Sequence, residues 1–329
     1  MRGLVTVLGG SGFIGSQTVR ALARQGWRIR VAVRRPWQAY RLRLLGDVGQ
    51  IEIVQANVRF PETVERALVG AEAAVYAVGA AFESGKQLFT VVHAEGPKVA
   101  AEAAARQGAA RFVFVSGIGA DVHSVSKAAR AKAEGEAAVR AAMPSAMILR
   151  PSMVFGPEDH FFNKIAQMAL LVPVMPVLGA ETRVQPVLVA DVARAAATVL
   201  ADPAASGRTF ELGGPSTYTM QDITQITLDV IGRPRPLLPL SGGAAELLGM
   251  GGDVLAWLRG PLPMLPPPPI TADQLALLKT DNVVAGGASG LADLGIAPAA
   301  LEPIIPTYLY RYRKGGQYAD LAPPEALRA

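Results

Sequence analysis

The sequence contains no cysteine, and its only histidines are His93, His123 and His160. Without thiols the protein cannot form disulfides, thiolate metal ligands or a cysteine nucleophile. No two of the histidines have the spacing of a metal-binding pair, so we expect no metal site. Charged residues are also scarce, at 18% of the chain, although Lys and Arg outnumber Asp and Glu by 32 to 27. So few charges, with a positive mean hydropathy of +0.28, indicate a surface that is shared with another molecule.

Basic residues are concentrated near the N-terminal third of the chain, at Arg28, Arg30, Arg34, Arg35, Arg41 and Arg43. Such a cluster predicts contact with an anionic lipid surface or with a cofactor phosphate. Nucleic acid is the weakest alternative, because the segment has no recognition-helix motif and no series of aromatic residues for base stacking. The first strand begins directly after Met1–Gly3, which leaves no room for a signal peptide and favours the cytoplasmic side of a bacterial cell.

Short apolar runs alternate with helical patterns through the first part of the chain. The runs lack the polar alternation of a half-exposed strand, as expected when helices cover both faces of a sheet. This order predicts the α/β class, with a doubly wound parallel Rossmann sheet. The predicted strands are Leu4–Leu8, Ile29–Val33, Ile51–Gln55, Ala73–Val78, Arg111–Ser116, Ala146–Arg150 and the later Thr209–Leu212; the predicted helices are Ser16–Gln25, Val91–Gln107, Val125–Ala142 and Asp191–Leu200.

The same pattern predicts two regions. The first is a nucleotide-binding domain of residues 1–151, to which residues 191–213 return. The second is a smaller, discontinuous α/β region for interaction with other molecules, made of residues 152–190 and 214–329.

Two apolar spans stand out in the second region. Prolines between residues 234 and 270 predict an extended, semi-rigid connector that encloses the apolar helix Ala244–Leu258. We expect this helix to belong to the core. The uncharged span 165–180 could be either core or a docking surface. Neither span reaches the roughly 20 unbroken apolar residues that a transmembrane helix requires.

A glycine-rich turn follows the first strand directly and precedes a helix. Gly9 permits the tight turn, Gly12 lets the backbone approach a pyrophosphate, and Gly15 lets the helix pack closely on the strand. The free N–H groups and the positive dipole end of the helix then face the phosphates. The turn therefore predicts a dinucleotide site, whose first contacts are Gly9, Ser11, Gly12, Phe13, Ile14 and Gly15.

The end of the second strand distinguishes between the two nicotinamide dinucleotides. An acidic residue there would bind the ribose 2′-hydroxyl of NAD, but this strand is followed by Arg34 and Arg35, with no carboxylate before Asp47. Because arginine forms charge-assisted, bidentate contacts with phosphate, we predict NADPH or NADP. The remaining predicted contacts follow strands three and four: Asn57 and Val58 at the adenine, and Ala77, Val78 and Gly79 beside the adenosine ribose and the pyrophosphate.

A set of motifs spread over residues 4–212 points to one protein family. They are the glycine turn, Asn57-Val58, Leu149–Pro151 with Val154–Pro157, and Val189–Val192. With these motifs the chain resembles the extended or atypical short-chain dehydrogenase/reductases. Active members of that family use a tyrosine, four positions before a lysine, as acid and base; the lysine holds the nicotinamide ribose and lowers the tyrosine pKa. The resemblance implies that Lys132 is this lysine and that Ser116 and Pro151 also lie at the cofactor.

The tyrosine of that pair is missing from this chain. Ala128 stands four positions before Lys132, and none of the seven tyrosines lies near it in the sequence. His93 also stands where active relatives carry an asparagine. We therefore expect no catalytic residue in this chain. The alternative is an NADPH-dependent reductase or epimerase with Ser116, Ser126 or His123 as a substitute acid.

Further segments narrow the resemblance: Ala131–Glu136, Phe155–Asn163, Asp273–Val284 and Leu291–Ile296. With them, nearly the whole chain resembles the nucleotide-binding accessory subunits of respiratory complex I, an atypical branch of the same superfamily. The resemblance implies a tightly held, structural NADPH and a role in the assembly or stability of the complex. It also implies a position on the peripheral arm beside the quinone module, near the membrane, on the cytoplasmic side in bacteria or the matrix side in mitochondria. A redox sensor whose partner affinity follows the NADPH/NADP ratio is a further alternative.

Overall fold

The computed structural model describes residues 3–240, 242–262, 264–316 and 318. Two predicted features extend beyond these ranges, because Pro263 of the proline-rich connector and residues 319–329 of the second region lie outside the described residues. The strands, in chain order, are β1 (Leu4–Leu8), β2 (Arg28–Val33), β3 (Ile51–Gln55), β4 (Ala73–Tyr76), β5 (Arg111–Val115), β6 (Met147–Pro151), β7 (Val154–Phe155), β8 (Met175–Leu178), β9 (Arg183–Val184), β10 (Val187–Leu188), β11 (Thr209–Leu212), β12 (Tyr218–Thr219) and β13 (Leu237–Leu240).

Seven of these strands form one sheet in the order β11-β6-β5-β4-β1-β2-β3. Every neighbouring pair in it is parallel. The predicted doubly wound parallel sheet is therefore confirmed. Strands β4 and β5 end at Tyr76 and Val115, earlier than the predicted Val78 and Ser116, so the chain leaves the sheet just before the segments expected to bind the cofactor.

The helices that cover the sheet and build the second region are α1 (Phe13–Arg24), α2 (Pro61–Leu68), α3 (Gly96–Arg106), α4 (Lys127–Ala142), α5 (Phe162–Leu171), α6 (Val189–Ala201), α7 (Met220–Val230), α8 (Gly243–Arg259), α9 (Ala272–Leu277) and α10 (Pro306–Leu309). Short 3-10 segments lie at Pro36–Leu45, Pro203–Ala205, Ala292–Leu294 and Tyr310–Tyr312. In the described part of the chain, no helix combines the length and the apolar character needed to cross a bilayer.

The predicted helix Val91–Gln107 is not uniform. Its first turn, Thr90–Glu95, is a π-helical turn, and α3 begins only at Gly96. The Tyr76 hydroxyl donates a 2.6 Å hydrogen bond to the Val92 carbonyl, and a Cβ added at Gly96 would lie 2.3 Å from that hydroxyl oxygen. The wider turn thus accommodates a buried tyrosine of the sheet beneath the helix.

Both faces of the sheet are buried, and each has its own apolar cluster. Side chains alternate along β5, so that Phe112 and Phe114 pack on α3, while Val113 faces the opposite cluster with α1 and α6. Helix α6, between β10 and β11, packs against α1 in this second cluster. Because both faces are buried, the strands are unbroken apolar runs in the sequence.

The remaining strands form three small two-stranded pairs, β7 with β10, β8 with β13 and β9 with β12. They surround a third apolar cluster that includes Phe155, Phe162, Ile223 and Leu309. The extended backbone predicted near residue 237 is present, because β13 pairs with β8. The span 165–180 has mixed burial: Ala166 and Ala169 of α5 are buried, and Leu171 and Val174 are exposed.

Near the C-terminus, the chain returns to the main sheet. The Glu211 amide donates a 2.8 Å hydrogen bond to the Ser289 carbonyl, and the Ala285 amide donates one of 2.9 Å to the Glu211 carboxylate. Leu291 and Ile296 then join the cluster under α1 and α6. Part of the outer edge of β11 is therefore covered by a segment more than 70 positions away in the sequence.

Helix α8 differs from expectation in the face that it buries. Ala244–Leu258 was expected to be core, but Leu247, Met250, Val254 and Trp257 form one exposed apolar face, with Trp257 72% exposed. The buried face is instead made of Gly249, Gly252 and Ala256, against the segment that holds α9. A Cβ added at Gly252 would lie 1.6 Å from the Ile270 carbonyl oxygen. Only small residues fit this contact, so the large apolar side chains point outward.

Candidate functional site

The glycine turn lies between β1 and α1 at the carboxyl edge of the sheet. Gly9 has a φ of +78°, and a Cβ added there would lie 2.8 Å from the Ala77 carbonyl oxygen. A Cβ at Gly15 would lie 2.3 Å from the Gly9 carbonyl oxygen. These two glycines are therefore required by the packing of the turn itself.

Gly12 is different, because it is exposed and an added Cβ would meet only the Gly9 carbonyl oxygen, at 3.3 Å. It is the N-cap residue of α1, where no side chain caps the helix and no acidic residue occupies the first turn. Phe13 and Ile14 begin that turn, and Ser11 lies half-buried before it. Uncapped N–H groups and an open backbone at a helix N-terminus fit a pyrophosphate.

A cavity of about 190 Å³ lies beside this turn, past the ends of β2, β3 and β4. The structure brings five predicted residues together around it: Arg34, Asn57, Val58, Val78 and Gly79. Arg59, Ser84, Lys86, Gln87 and Val92 complete the lining. Of the predicted contacts, Ala77 packs beneath on the core and Arg35 lies exposed beside the cavity, not in its lining.

The cavity has a positive lining. Arg34 Nη1 donates a 3.0 Å hydrogen bond to Gln87 Oε1. Partial burial, followed by the charges of Arg35 and Arg59, lowers the pKa of Arg34. None of the described residues that line the cavity is acidic, so three cationic side chains converge without a counter-charge. This arrangement fits a phosphate group.

Two of these cationic residues, Arg59 and Lys86, were missed by the sequence analysis. Arg59 follows the predicted Asn57 by two positions, and its amide donates a hydrogen bond to Asn57 Oδ1. That proximity was a signal that could have identified it. Lys86 stands in the loop between β4 and the π-helical turn, where no motif marks it.

At the other end of the cleft, Ser116 follows β5. Its hydroxyl donates a 2.6 Å hydrogen bond to Glu136 Oε1, and the Glu136 carboxylate also accepts a 2.6 Å contact from Arg150. Pro151, the last residue of β6, accepts a hydrogen bond through its carbonyl from the Ile118 amide. The Ser116 proton is thus committed to a carboxylate.

Lys132 extends from α4 toward the end of β5, where a Cβ added at Gly117 would lie 2.6 Å from its Nζ atom. Burial lowers its pKa, and the charges of Glu136 and Asp273 act in the opposite direction. His93 Nε2 lies 3.3 Å from the Ala80 carbonyl oxygen. Burial, followed by the charge of Lys132, lowers the pKa of His93 to about 4, so the imidazole is neutral at pH 7.

Ala128 lies buried in the first turn of α4, and its amide faces Asp273 Oδ2 at 3.3 Å. The Ser126 hydroxyl donates a 2.8 Å hydrogen bond to the same carboxylate. The third substitute acid, His123, is exposed to solvent. Ser126, like Ser116, therefore donates to a carboxylate, and the position four residues before Lys132 carries no proton donor.

Among the residues that the structure describes, no cluster of three or more acidic or histidine side chains could hold a metal ion.

Comparison with known proteins gives one family model that matches residues 5–213, the NAD dependent epimerase/dehydratase family. The chain is 32% identical over 317 residues to NADH dehydrogenase (ubiquinone) 1 alpha subcomplex subunit 9, mitochondrial, of Arabidopsis thaliana, covering 95% of this chain and 79% of that protein. A second relative, the ceramide reductase of Caulobacter vibrioides, is 40% identical over 193 residues, which are 58% of this chain and 59% of that protein.

Among solved structures, the triphenylmethane reductase of Citrobacter sp. complexed with NADP(H) superposes with a TM-score of 0.70. The match covers 92% of this chain and 99% of that chain, at 19% identity. At that identity the likeness concerns the fold alone.

Proposed function

The chain belongs to the NAD dependent epimerase/dehydratase family and, within it, to the family of the alpha subcomplex subunit 9 of NADH dehydrogenase (ubiquinone), and we propose that it is a non-catalytic accessory subunit of respiratory complex I with a resident NADPH. One observation carries the proposal: the glycine turn and the cationic cavity fit the phosphates of a dinucleotide, while Ala128 stands at the place of the family's acid, four positions before Lys132. Such a site retains a ligand and cannot deliver a proton from that position. A retained ligand stabilises the fold by mass action.

Different residues of the cleft bind different parts of the NADPH. The amides at Gly12 and the first turn of α1 hold the pyrophosphate, and Arg34, with Arg59 and Lys86, holds the 2′-phosphate. Asn57 and Val58 lie at the adenine. Bound NADPH would supply a hydride donor. The hydroxyls of Ser116 and Ser126 donate their hydrogen bonds to neighbouring carboxylates, so neither is placed to protonate a substrate beside that donor.

At the nicotinamide end, Lys132 is the residue assigned to the ribose. Lys132 is half-buried, and the charges of Glu136 and Asp273 stabilise its ammonium form. A ribose hydroxyl would give the ammonium a hydrogen-bond acceptor. Pro151 stands at the end of β6, and Val78 and Gly79 line the cavity at the adenosine ribose and the pyrophosphate, with Ala77 beneath them.

The exposed apolar face of α8 supports a peripheral position at a membrane surface. Leu247, Met250, Val254 and Trp257 project from one side of the helix, and Leu262 and Met264 extend the apolar surface beyond it. Trp and aliphatic side chains of this kind enter the boundary between headgroups and acyl chains. The side of the membrane is the cytoplasmic side in bacteria, or the matrix side in mitochondria, and the neighbours are complex I subunits near the quinone module.

Purification of the tagged chain from membranes in mild detergent tests the proposal. We expect the respiratory subunits and one NADPH per chain to be recovered together. Recovery as a free protein without respiratory subunits would contradict the assignment to complex I. For the membrane contact, Trp257→Ser should weaken binding to vesicles of anionic phospholipid. The control is Val122→Ser, which removes a 51% exposed apolar side chain outside both α8 and the arginine cluster. Equal losses in both variants would exclude α8 as the contact.

A second candidate is a lipid-directed reductase, which the 40% identity to a ceramide reductase favours. The apolar face of α8 would then bring the cleft to a membrane lipid, and a proton would have to come from a group other than residue 128. NADPH oxidation by the purified chain with ceramide-class carbonyl substrates tests this candidate. Turnover that is lost in Lys132→Met would establish it, and no turnover with vesicle-bound substrate would exclude it.

A further inference from the structure

The segment Thr271–Leu278, here called the strap, contains α9 and crosses from one side of the cofactor cleft to the other. On one side, Asp273 accepts hydrogen bonds from the Ser126 hydroxyl at 2.8 Å and from the Lys127 amide at 2.5 Å, at the N-terminus of α4. On the other side, Gln274 Nε2 donates a 3.0 Å hydrogen bond to the Ala81 carbonyl. Adjacent residues of the strap thus join α4 to the loop after β4.

Both anchoring points belong to walls of the cleft. Ala81 follows Val78 and Gly79, which line the cavity, and the N-terminus of α4 leads within two turns to Lys132. A nucleotide that lies along the ends of β1, β4 and β5 is therefore enclosed between elements that the strap ties together. Helix α8 backs the strap from outside, because Gly249 and Gly252 pack directly on residues 270–275.

On its cleft side the strap is held by polar contacts, whereas on its outer side Leu275 contacts Gly249 of α8 and Leu278 packs on the third apolar cluster. Helix α9 has only six residues, and none of them is buried. Its own end is fixed locally, because Thr271 and Gln274 form a capping box with reciprocal bonds of 3.4 Å and 3.2 Å. A short segment whose cleft-side anchors are a few hydrogen bonds can open locally while the core remains folded. The strap can therefore leave the walls of the cleft as a preformed turn.

We propose that the strap closes the cofactor cleft and that its opening limits the rate at which the nucleotide leaves. This inference rests on the proposed function, because it requires NADPH in the cleft. The negative charge of Asp273 on the positive end of α4 favours the closed position. Residence of the nucleotide is then set by the C-terminal region as well as by the phosphate contacts.

Two variants loosen the strap without touching the nucleotide contacts. Gln274→Glu keeps an acceptor for the Thr271 amide, and so keeps the capping box, but loses the donor to the Ala81 carbonyl. Gly252→Ala disturbs the seat of the strap on α8, because its Cβ would meet the Ile270 carbonyl oxygen. The matched control is Gly251→Ala, where an added Cβ meets no atom within 4 Å.

The readouts are the dissociation rate of NADPH, followed by its fluorescence after displacement with excess NADP, and hydrogen exchange of residues 271–278. We expect Gln274→Glu to release NADPH roughly tenfold faster, as the loss of one hydrogen bond implies, and Gly252→Ala to release it faster as well, each with faster exchange in the strap. Gly251→Ala should match the parent chain. If Gly252→Ala does not fold, Gln274→Glu decides.

Faster hydrogen exchange in the strap with an unchanged NADPH release rate would contradict the proposal that the strap limits release. It would not contradict the proposal of a resident NADPH. A parent chain that binds no NADPH would overturn both proposals. The two failures are therefore distinguishable in one set of measurements.

Discussion

The Ser116 hydroxyl and the Glu136 carboxylate form a 2.6 Å hydrogen bond in the interior, between β5 and α4. Arg150 of β6 completes the arrangement, since it contacts Glu136 at 2.6 Å and Glu211 of β11 at 3.5 Å. Glu136 is thereby bound by both Ser116 and Arg150. The pairing of Arg150 with Glu136 and Glu211 raises the pKa of Arg150. This network connects α4 to the end of β5, to β6 and to β11. Its energetic role can be separated from any catalytic role of Ser116.

Replacement of Glu136 by Gln should lower the free energy of unfolding by about 3 kcal/mol, because a buried pair loses one charge and leaves Arg150 underpaired. Urea unfolding measures the difference. Glu52→Gln is the control, since Glu52 also pairs with an arginine, Arg30, but is 59% exposed, and its loss should cost less than about 1 kcal/mol. Equal effects of the two substitutions would contradict the structural role of Glu136.

Arg34→Gln should weaken NADPH binding by roughly tenfold or more, because it removes a charged donor worth about 1.5–3 kcal/mol. Binding of NADH, which lacks the 2′-phosphate, should change little. Calorimetric titration of both nucleotides gives the comparison. Arg43→Gln removes an arginine that stacks on Tyr40 outside the cavity, and it should leave both affinities unchanged. Parallel losses for NADPH and NADH would show that Arg34 does not bind the 2′-phosphate.

Two substitutions in the glycine turn separate cofactor binding from stability. Gly12→Ala should lower the free energy of unfolding of the apo protein by only about 1 kcal/mol, since glycine is preferred to alanine at an N-cap by about that amount. It should nevertheless weaken NADPH, because the methyl group lies where the backbone faces the pyrophosphate. Gly15→Ala should lower stability by about 2 kcal/mol, through a backbone clash with Gly9. Thermal unfolding with and without NADPH separates the two effects, and unchanged NADPH affinity in Gly12→Ala would count against the cradle.

His93 makes stability depend on pH on the acid side. Burial lowers its pKa to about 4, below the ordinary value of 6.5, so the unfolded chain takes up a proton first as pH falls. The stabilisation is fully present above pH 6.5 and is lost between pH 6.5 and 4, at up to about 1.4 kcal/mol per pH unit. His93→Asn should flatten this part of the stability curve in urea unfolding, and His123→Asn, at an exposed position, should not. A curve that keeps its slope in His93→Asn would assign the pH dependence to other groups.

The parts of the fold that could be predicted from sequence depend on local patterns. The strands of the sheet are apolar runs buried on both faces, and the glycine turn carries its own spacing, so β1 to β6 and the cradle follow from short segments. The sequence also predicts that Arg34 and Asn57 lie at the same cavity, because the carboxyl ends of parallel strands meet at one edge of the sheet.

Other features depend on contacts that sequence spacing does not reveal. Ser126 and Asp273 are 147 positions apart, and neither has a local signal for the other. The orientation of α8 was predicted wrongly, because apolar side chains suggest a core. The close approach of Ile270 to Gly252, and of Ala272 and Leu275 to Gly249, leaves room only for glycine at these two positions. Lys86 reaches the cavity from a loop whose path is set by tertiary packing.

The hydrogen bond from Glu211 to Ser289 has a consequence for assembly. A parallel sheet has two edges, and here the β11 edge is occupied in part by the chain's own C-terminal segment, which ends strand addition on that side. A neighbouring polypeptide cannot extend the sheet there without displacing residues 285–296. A subunit that binds on this side must therefore recognise side chains, and the returning segment protects this edge from pairing with the sheet edge of another molecule.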